Sequence, residues 1–314
     1  MPEPRDPVGR AARRLSASGV ESPRLEAQLL LALALGISRT AVTAGLFGPL
    51  DGERQRRFHD LVTARCSHVP LAYLRGTQEF YSLDFEVGTA VLIPRSETEM
   101  LVEFALETFA AAANMPEARL HSSKTSADLE ARANDSGSSI RRDRWTLADV
   151  GTGSGCIAIS ALFHLPSARG VAFDISRAAL EVARRNADRH ALTERLRFVQ
   201  GDLLSGAAAG SFDLILSNPP YIPSGDLEGL QAEVRDSEPR LALDGGPDGL
   251  APYRVLALSA RRCLRRGGRL AVEVGQGQAG DVASLFERAG MSGIDVRKDL
   301  AGIERLVSAR CVNT

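Results

Sequence analysis

The sequence predicts an α/β chain: a seven-stranded, mostly parallel sheet with helices on both faces, preceded by a small helical domain joined to it by a β-hairpin. Two observations carry that reading. Four short apolar runs end in polar residues, at Asp149, Asp174, Asp202 and Asn218. Helical or turn-rich stretches alternate with them, which is the pattern of an open parallel sheet whose strand ends line one crevice. The first run enters the glycine loop Gly151-Thr152-Gly153-Ser154-Gly155, and the last enters the loop Asn218-Pro219-Pro220-Tyr221.

Taken in order, residues 1–75 read as the helical domain. Its clearest helix, Pro23 to Gly36, starts at proline and stops at glycine, and its apolar breadth marks a buried core helix. Residues 76–96 read as the hairpin, with alternation around Tyr81 to Val87. Residues 97–314 read as the sheet domain, opening with a helix after Glu97. Within it, residues 114–144 turn polar and lose periodicity, which reads as a disordered insertion. A strand around Ala148, the glycine loop and an apolar helix from Ile157 follow. Gly170 to Asp174 reads as the next strand, Ser176 to Arg189 as an amphipathic helix opened by a capping serine, and Arg195 to Asp202 as a third strand. Phe212 to Ser217 leads into the Asn-Pro-Pro-Tyr loop. Glu238 to Leu250, rich in Gly, Pro and Asp, reads as a loop beside it. A helix from Tyr253 to Arg266, a strand from Arg269 to Val274, a helix from Ala279 to Ala289 and strands near Ile294 and Leu306 complete the sheet, one of them antiparallel.

The glycine loop brings bare backbone up to a ligand. Dinucleotide binding is disfavoured, because that fingerprint wants a third glycine where Cys156 stands. Walker-type phosphate binding is disfavoured too, since no Gly-Lys-Ser/Thr follows. A nucleoside without phosphates fits better. Asp174, roughly 20 residues past the loop, stands where such folds place a ribose-binding carboxylate. The Asn-Pro-Pro-Tyr loop is stiff, because proline fixes its own φ and restricts the residue before it. The Asn218 side-chain oxygen and a proline carbonyl can each accept one hydrogen of a planar NH2 group while Tyr221 packs on its flat face.

Composition fits a cytoplasmic protein. The chain has 314 residues, 44% of them hydrophobic, a net charge of −1 and no apolar run long enough to span a membrane. The N-terminus mixes arginine with Glu3 and Asp6, unlike a signal or transit peptide. The four cysteines form no CxxC and read as reduced and structural, no metal site is expected, and His164 and His190 read as ordinary helix residues.

With these motifs the chain resembles the class I (Rossmann-like) S-adenosylmethionine methyltransferases. Within them it is most similar to the release-factor glutamine N5-methyltransferases, the HemK or PrmC family. Besides the two loops, the stretches Pro70 to Phe80, Val91 to Glu99 and Glu238 to Leu250 carry the likeness, which covers most of the chain. The resemblance implies methyl transfer from S-adenosylmethionine to the glutamine side-chain amide of the Gly-Gly-Gln motif in class I peptide chain release factors. It implies a cytoplasmic enzyme with no direct nucleic-acid target and no membrane partner, and a helical domain that recruits the release factor. It further implies that Gly151, Thr152, Gly153, Ser154 and Gly155 run along the methionine part of the cofactor and that Asp174 holds the ribose. Asp202 and Leu203 would lie at the adenine, and Asn218 with the Pro219 backbone would bind the glutamine NH2, with Pro220 and Tyr221 completing the loop. Two positions depart from the family pattern. Ser96 stands where relatives usually have proline, and Leu203 where they often have an aromatic residue.

An adenine-N6 nucleic-acid methyltransferase would use the same Asn-Pro-Pro-Tyr loop, but such enzymes carry a clearly basic face and a recognition domain. A non-catalytic cofactor-binding protein would be expected to have a damaged acceptor loop. Here the loop is intact.

Overall fold

The computed structural model describes residues 6–113 and 145–312. The expected insertion at 114–144 lies outside them. The described chain separates into two compact units. One comprises residues up to Thr77 together with Gln231–Ser237, and the other comprises Gln78–Leu230 and Glu238 onward.

The first unit is helical: α1 (Pro7–Ala17), α2 (Pro23–Leu35), α3 (Arg39–Thr43), α4 (Gly52–Cys66) and α5 (Leu71–Arg75). Helix α2 begins at Pro23, whose missing N–H costs nothing there, and ends at Gly36 in the left-handed conformation. Its Leu30 and Leu31 are fully buried against Leu15 of α1 and Phe58 and Val62 of α4. Arg65 of α4 is only 4% exposed. Its guanidinium meets Glu26 of α2 at 2.5 Å and Glu233 at 2.6 Å. Glu233 comes from the returning segment 231–237, which the sequence did not separate from its surroundings.

The second unit opens with a hairpin of β1 (Thr77–Phe80) and β2 (Leu83–Glu86), a 3-10 turn at Ser96–Thr98 and helix α6 (Glu99–Ala113). The sheet then alternates strand and helix: β3 (Thr146–Val150), α7 (Cys156–His164), β4 (Arg169–Asp174), α8 (Arg177–Arg189), β5 (Leu196–Gln200) and β6 (Phe212–Ser217). After the short α9 (Ala232–Ser237), which belongs to the helical unit, come α10 (Ala251–Cys263), β7 (Leu264–Glu273), α11 (Ala279–Arg288), β8 (Met291–Lys298) and β9 (Glu304–Cys311).

The strand order is β5-β4-β3-β6-β7-β9-β8, parallel from β5 to β7, with β9 antiparallel to both its neighbours. The order reverses at β3, so the ends of β3 and β6 face a topological switch point where open sheets bind ligands. Two apolar layers sandwich the sheet, one including Leu101, Phe104 and Ile159, the other including Tyr253, Leu256 and Phe286. Strands β3 and β4 read as continuous apolar runs because both of their faces are covered.

One boundary departs from the sequence reading. The helix expected to reach Arg266 stops at Cys263, and β7 starts at Leu264 instead of Arg269. Phe212 pairs with Leu264 and Leu214 already with Arg269, so the intervening residues of β7 bulge out, with Gly267 at φ 77°. The Arg-Arg-Gly-Gly stretch looked like a helix end because the pattern cannot show a bulge.

Candidate functional site

A cavity of about 370 Å³ opens over the carboxyl ends of the parallel strands. The glycine loop forms its floor. Ser217 of β6 donates its hydroxyl to the Val150 carbonyl of β3 at 2.7 Å, which brings Asn218 beside Gly151. The N–H groups of Gly151 and Thr152 both bond back to the Phe173 carbonyl of β4, folding the loop across the sheet end. Gly151 and Gly153 have φ of 71° and 55°, and a Cβ at Gly153 would enter open space. Bare backbone there is what a closely approaching ligand requires.

Gly155 is different. It does not line the cavity, and a Cβ there would stand 2.8 Å from Ile159 Cδ1 and 3.2 Å from Ala183 Cβ, so its smallness lets α7 pack on α8.

Asp174 ends β4 and lines the cavity. One carboxylate oxygen accepts from Gly153 N and the other from Ser176 N, both at 2.9 Å, which fixes the group and leaves each oxygen further acceptor capacity. Burial raises its pKa, against the opposing backbone hydrogen bonds. Asp149, expected from its strand-end position to line the crevice, is instead fully buried beneath the loop. Its Oδ2 accepts from the Thr152 hydroxyl at 2.7 Å and from Ala158 N at 3.1 Å, so it props the glycine loop from inside. Burial pushes its carboxyl up to about 6. Among the described residues Oδ1 has no partner.

Asp202 and Leu203 complete this wall, with Leu203 at φ 48°. Asn186 ties the wall to the hairpin. Its Nδ2 donates to the carbonyls of Ser154 and Glu86, and its Oδ1 accepts from Glu86 N.

Asn218 and Pro220 line the opposite wall, whereas Pro219 and Tyr221 do not reach the cavity. The Tyr221 ring lies against Gly275, and its carbonyl accepts from Gln278 Nε2 at 2.9 Å. Burial pushes its hydroxyl up to about 12. The stretch after Glu238, which the residues alone left as either a surface turn or a flanking loop, holds the acceptor loop in place. Ile222 N bonds to Leu243 O, Gly245 N to Ile222 O, and Ser224 N to Gly246 O, at 2.8 to 3.0 Å. The buried Glu238 reaches the other way, accepting from Arg95 at 2.5 Å and from Ile93 N at 3.4 Å.

Sequence reasoning missed two side chains. Asn218 Nδ2 donates to Thr98 Oγ1 at 3.1 Å, and the Thr98 hydroxyl donates to Glu273 Oε2 at 2.6 Å. Burial holds the Glu273 carboxyl up at about 7. Thr98 sits inside the Val91 to Glu99 motif, and that was its only signal. Glu273 gave none beyond ending an apolar run.

The arrangement suits a nucleoside donor and a planar nitrogen acceptor. Bare glycine backbone, a fixed carboxylate and the apolar Leu203 and Ile175 meet the first, and an amide oxygen held at the wall meets the second. The four cysteines are free thiols. No helix among the described residues is long and apolar enough to cross a membrane.

Residues 8–76 match the family model described as the PrmC N-terminal domain, and residues 138–245 match the methyltransferase small domain. The chain is 44% identical over 302 residues to a release factor glutamine methyltransferase of Moorella thermoacetica, covering 96% of each chain. It is 40% identical over 296 residues to that of Geobacter sulfurreducens, covering 94% of this chain and 92% of the relative. Among solved structures, the hMettl16 catalytic domain in complex with the MAT2A 3'UTR hairpin 6 superposes with a TM-score of 0.51 at 12% identity, over 81% of this chain and 83% of that one. That likeness concerns the fold alone.

Proposed function

The chain belongs to the release factor glutamine methyltransferases, and on that premise we propose that it methylates the side-chain N5 of the Gly-Gly-Gln glutamine in class I peptide chain release factors, using S-adenosylmethionine in the cytoplasm. The identity of its relatives supports glutamine over a nucleic-acid base as acceptor. The observation that carries the site assignment is the orientation of Asn218. With Nδ2 committed to Thr98, Oδ1 is left to accept from the substrate NH2.

S-adenosylmethionine, when bound, supplies an electrophilic methyl on a sulfonium. Gly151, Thr152, Gly153 and Ser154 would hold its methionine part, Asp174 its ribose, and Asp202 with Leu203 its adenine. Asn218 Oδ1 accepts one hydrogen of the glutamine NH2, and the Pro219 carbonyl, set back from the cavity lining, is assigned the other, so that the nitrogen lone pair points toward the donor side. Alignment of this kind contributes roughly 7–11 kcal/mol in favourable intramolecular cases. The two acceptors also stabilise the positive charge that grows on nitrogen, an interaction stronger in the transition state than in the ground state. After methyl transfer the proton can leave to water or to a carbonyl, and no side chain is assigned as general base. We assign recruitment of the release factor to the helical unit.

Transfer of labelled methyl to a purified release factor, beside its Gly-Gly-Ala variant and a duplex DNA, tests this reading. Label on the native factor alone is expected. Equal label on the variant, or label on DNA, overturns the acceptor.

A further inference from the structure

We propose that Glu273 acts through Thr98 as a positioning residue, compelling the Asn218 amide to present its oxygen to the acceptor. The inference rests on Asn218 being the acceptor's anchor, as above. The three side chains come from distant segments: Thr98 from the turn before α6, Asn218 from the end of β6, and Glu273 from the end of β7.

Thr98 and Glu273 are each 3% exposed. Among the described residues the only hydrogen bond to the Glu273 carboxylate comes from Thr98. The neighbouring cations are engaged elsewhere, Arg95 with Glu238 at 2.5 Å and Arg305 with Asp299 at 3.4 Å. A carboxylate buried without an ion pair is costly, and an apolar side chain of similar volume would fill the same space. What an ionised carboxylate alone provides is acceptance without donation. A threonine hydroxyl has one proton. Once Glu273 takes it, Thr98 can only accept from Asn218, so the nitrogen of that amide must turn to Thr98 and the oxygen away from it. A protonated Glu273 can donate instead. The Thr98 proton is then released toward Asn218, and the flipped amide, with its NH2 facing the substrate NH2, becomes allowed.

The groups facing Glu273 are Arg95 and Glu97 before α6, Arg305 on β9, Cys156 at the start of α7, Tyr221 in the acceptor loop and Tyr253 on α10. The Tyr253 hydroxyl donates to the Glu273 backbone carbonyl at 2.8 Å, which pins the strand end without touching the carboxylate. Burial, opposed by the Thr98 hydrogen bond and by Arg305 and Arg95, places the carboxyl at about 7, so its ionisation changes within the neutral range. Turnover therefore falls as pH drops through that value.

The test is the pH profile of kcat for labelled methyl transfer to a purified release factor, with S-adenosylmethionine binding followed by calorimetry. Wild type is expected to lose turnover on the acid side with the slope of one ionisation. Glu273→Gln abolishes that limb and lowers kcat roughly ten- to a hundredfold while donor affinity stays within about twofold, the split expected when a contact to the acceptor that strengthens in the transition state is weakened and the donor's own contacts are not. Thr98→Val, equal in shape but without the hydroxyl, gives the same loss, and Thr98→Ser recovers it. Thr98→Val carries the test if Glu273→Gln does not fold. Persistence of the acid limb in Glu273→Gln, or wild-type kcat in Thr98→Val, overturns the relay. If Asn218→Ala alone is inactive, the relay fails and the anchor stands. If Asn218→Ala keeps full turnover, the anchor itself fails.

Discussion

A Cβ added to Gly245 would stand 2.8 Å from the Cα of Tyr221, backbone against backbone. The Gly-rich loop and the acceptor loop thus interlock at a distance only glycine permits. Gly245→Ala is expected to destabilise the protein by about 1–3 kcal/mol, the usual cost of overpacking, and to lower kcat more than tenfold. Gly210 provides the comparison: at φ 62° with nothing within 4 Å of its Cβ position, its alanine variant meets only the left-handed penalty of about 1–2 kcal/mol and keeps turnover. Denaturation and kinetics on both variants check the pair. Equal kcat in the two would show that the interlock does not position the acceptor.

Asp174→Ala removes a carboxylate that is assigned to the donor and that also holds Gly153 N and Ser176 N. Donor affinity should fall by about 1.5–3 kcal/mol, the scale of hydrogen bonds to a charged group. At saturating donor, kcat should change little. Calorimetric titration with S-adenosylmethionine measures the first and steady-state kinetics the second.

Leu203 covers one side of the cavity without an aromatic ring. Leu203→Phe is expected to tighten donor binding by about 0.5–1.5 kcal/mol, the surplus that aromatic pairing adds beyond area. Unchanged affinity on the same titration would place the adenine elsewhere.

In the helical unit, Arg65→Ala would leave Glu26 and Glu233 facing each other without their cation. A loss of about 3–5 kcal/mol in urea denaturation is expected for a broken buried pair. Arg177→Ala, which breaks an exposed pair with Glu181 on α8, should cost about 0.3–0.5 kcal/mol.

The Asp149 carboxyl, held up at about 6 by burial, sets a pH dependence of stability. Its folded pKa lies above the unfolded one, so the folded state binds this proton more tightly. The stabilisation is complete below the unfolded value of about 3.9 and is lost as pH rises through about 6. The shift corresponds to something on the order of 3 kcal/mol. Asp149→Asn removes the titration. The stability difference between wild type and variant should therefore change across this window, and a constant difference would refute the assignment.

How much of this the sequence revealed depends on the range of each interaction. The four polar strand ends, the glycine loop and the proline-stiffened loop were legible because strand ends and loop chemistry are local. Helix α8 was legible to its cap, Ser176, whose hydroxyl accepts from Ala179 N at 3.2 Å. Thr98 and Glu273, by contrast, meet across 175 residues, and Asn186 meets Glu86 across 100, so no periodicity announces them. Gly155 looked like part of a ligand cradle because glycine spacing cannot distinguish backbone bared to a ligand from backbone bared to a neighbouring helix. Asp149 looked like a crevice residue for a similar reason, since a strand end fixes position but not which way the side chain serves.

The stretch from Glu238 to Gly249 ties two parts of the cavity lining together, Arg95 through Glu238 on one side and the acceptor loop through Gly245 on the other. Arg240 and Leu241 stand exposed in the middle of it. A trypsin-like protease cutting after Arg240 would leave every strand of the sheet paired while separating the half of the stretch that holds Arg95 from the half that holds the acceptor loop. The chain that joins the two sides of the cavity is thus not the chain that holds the sheet.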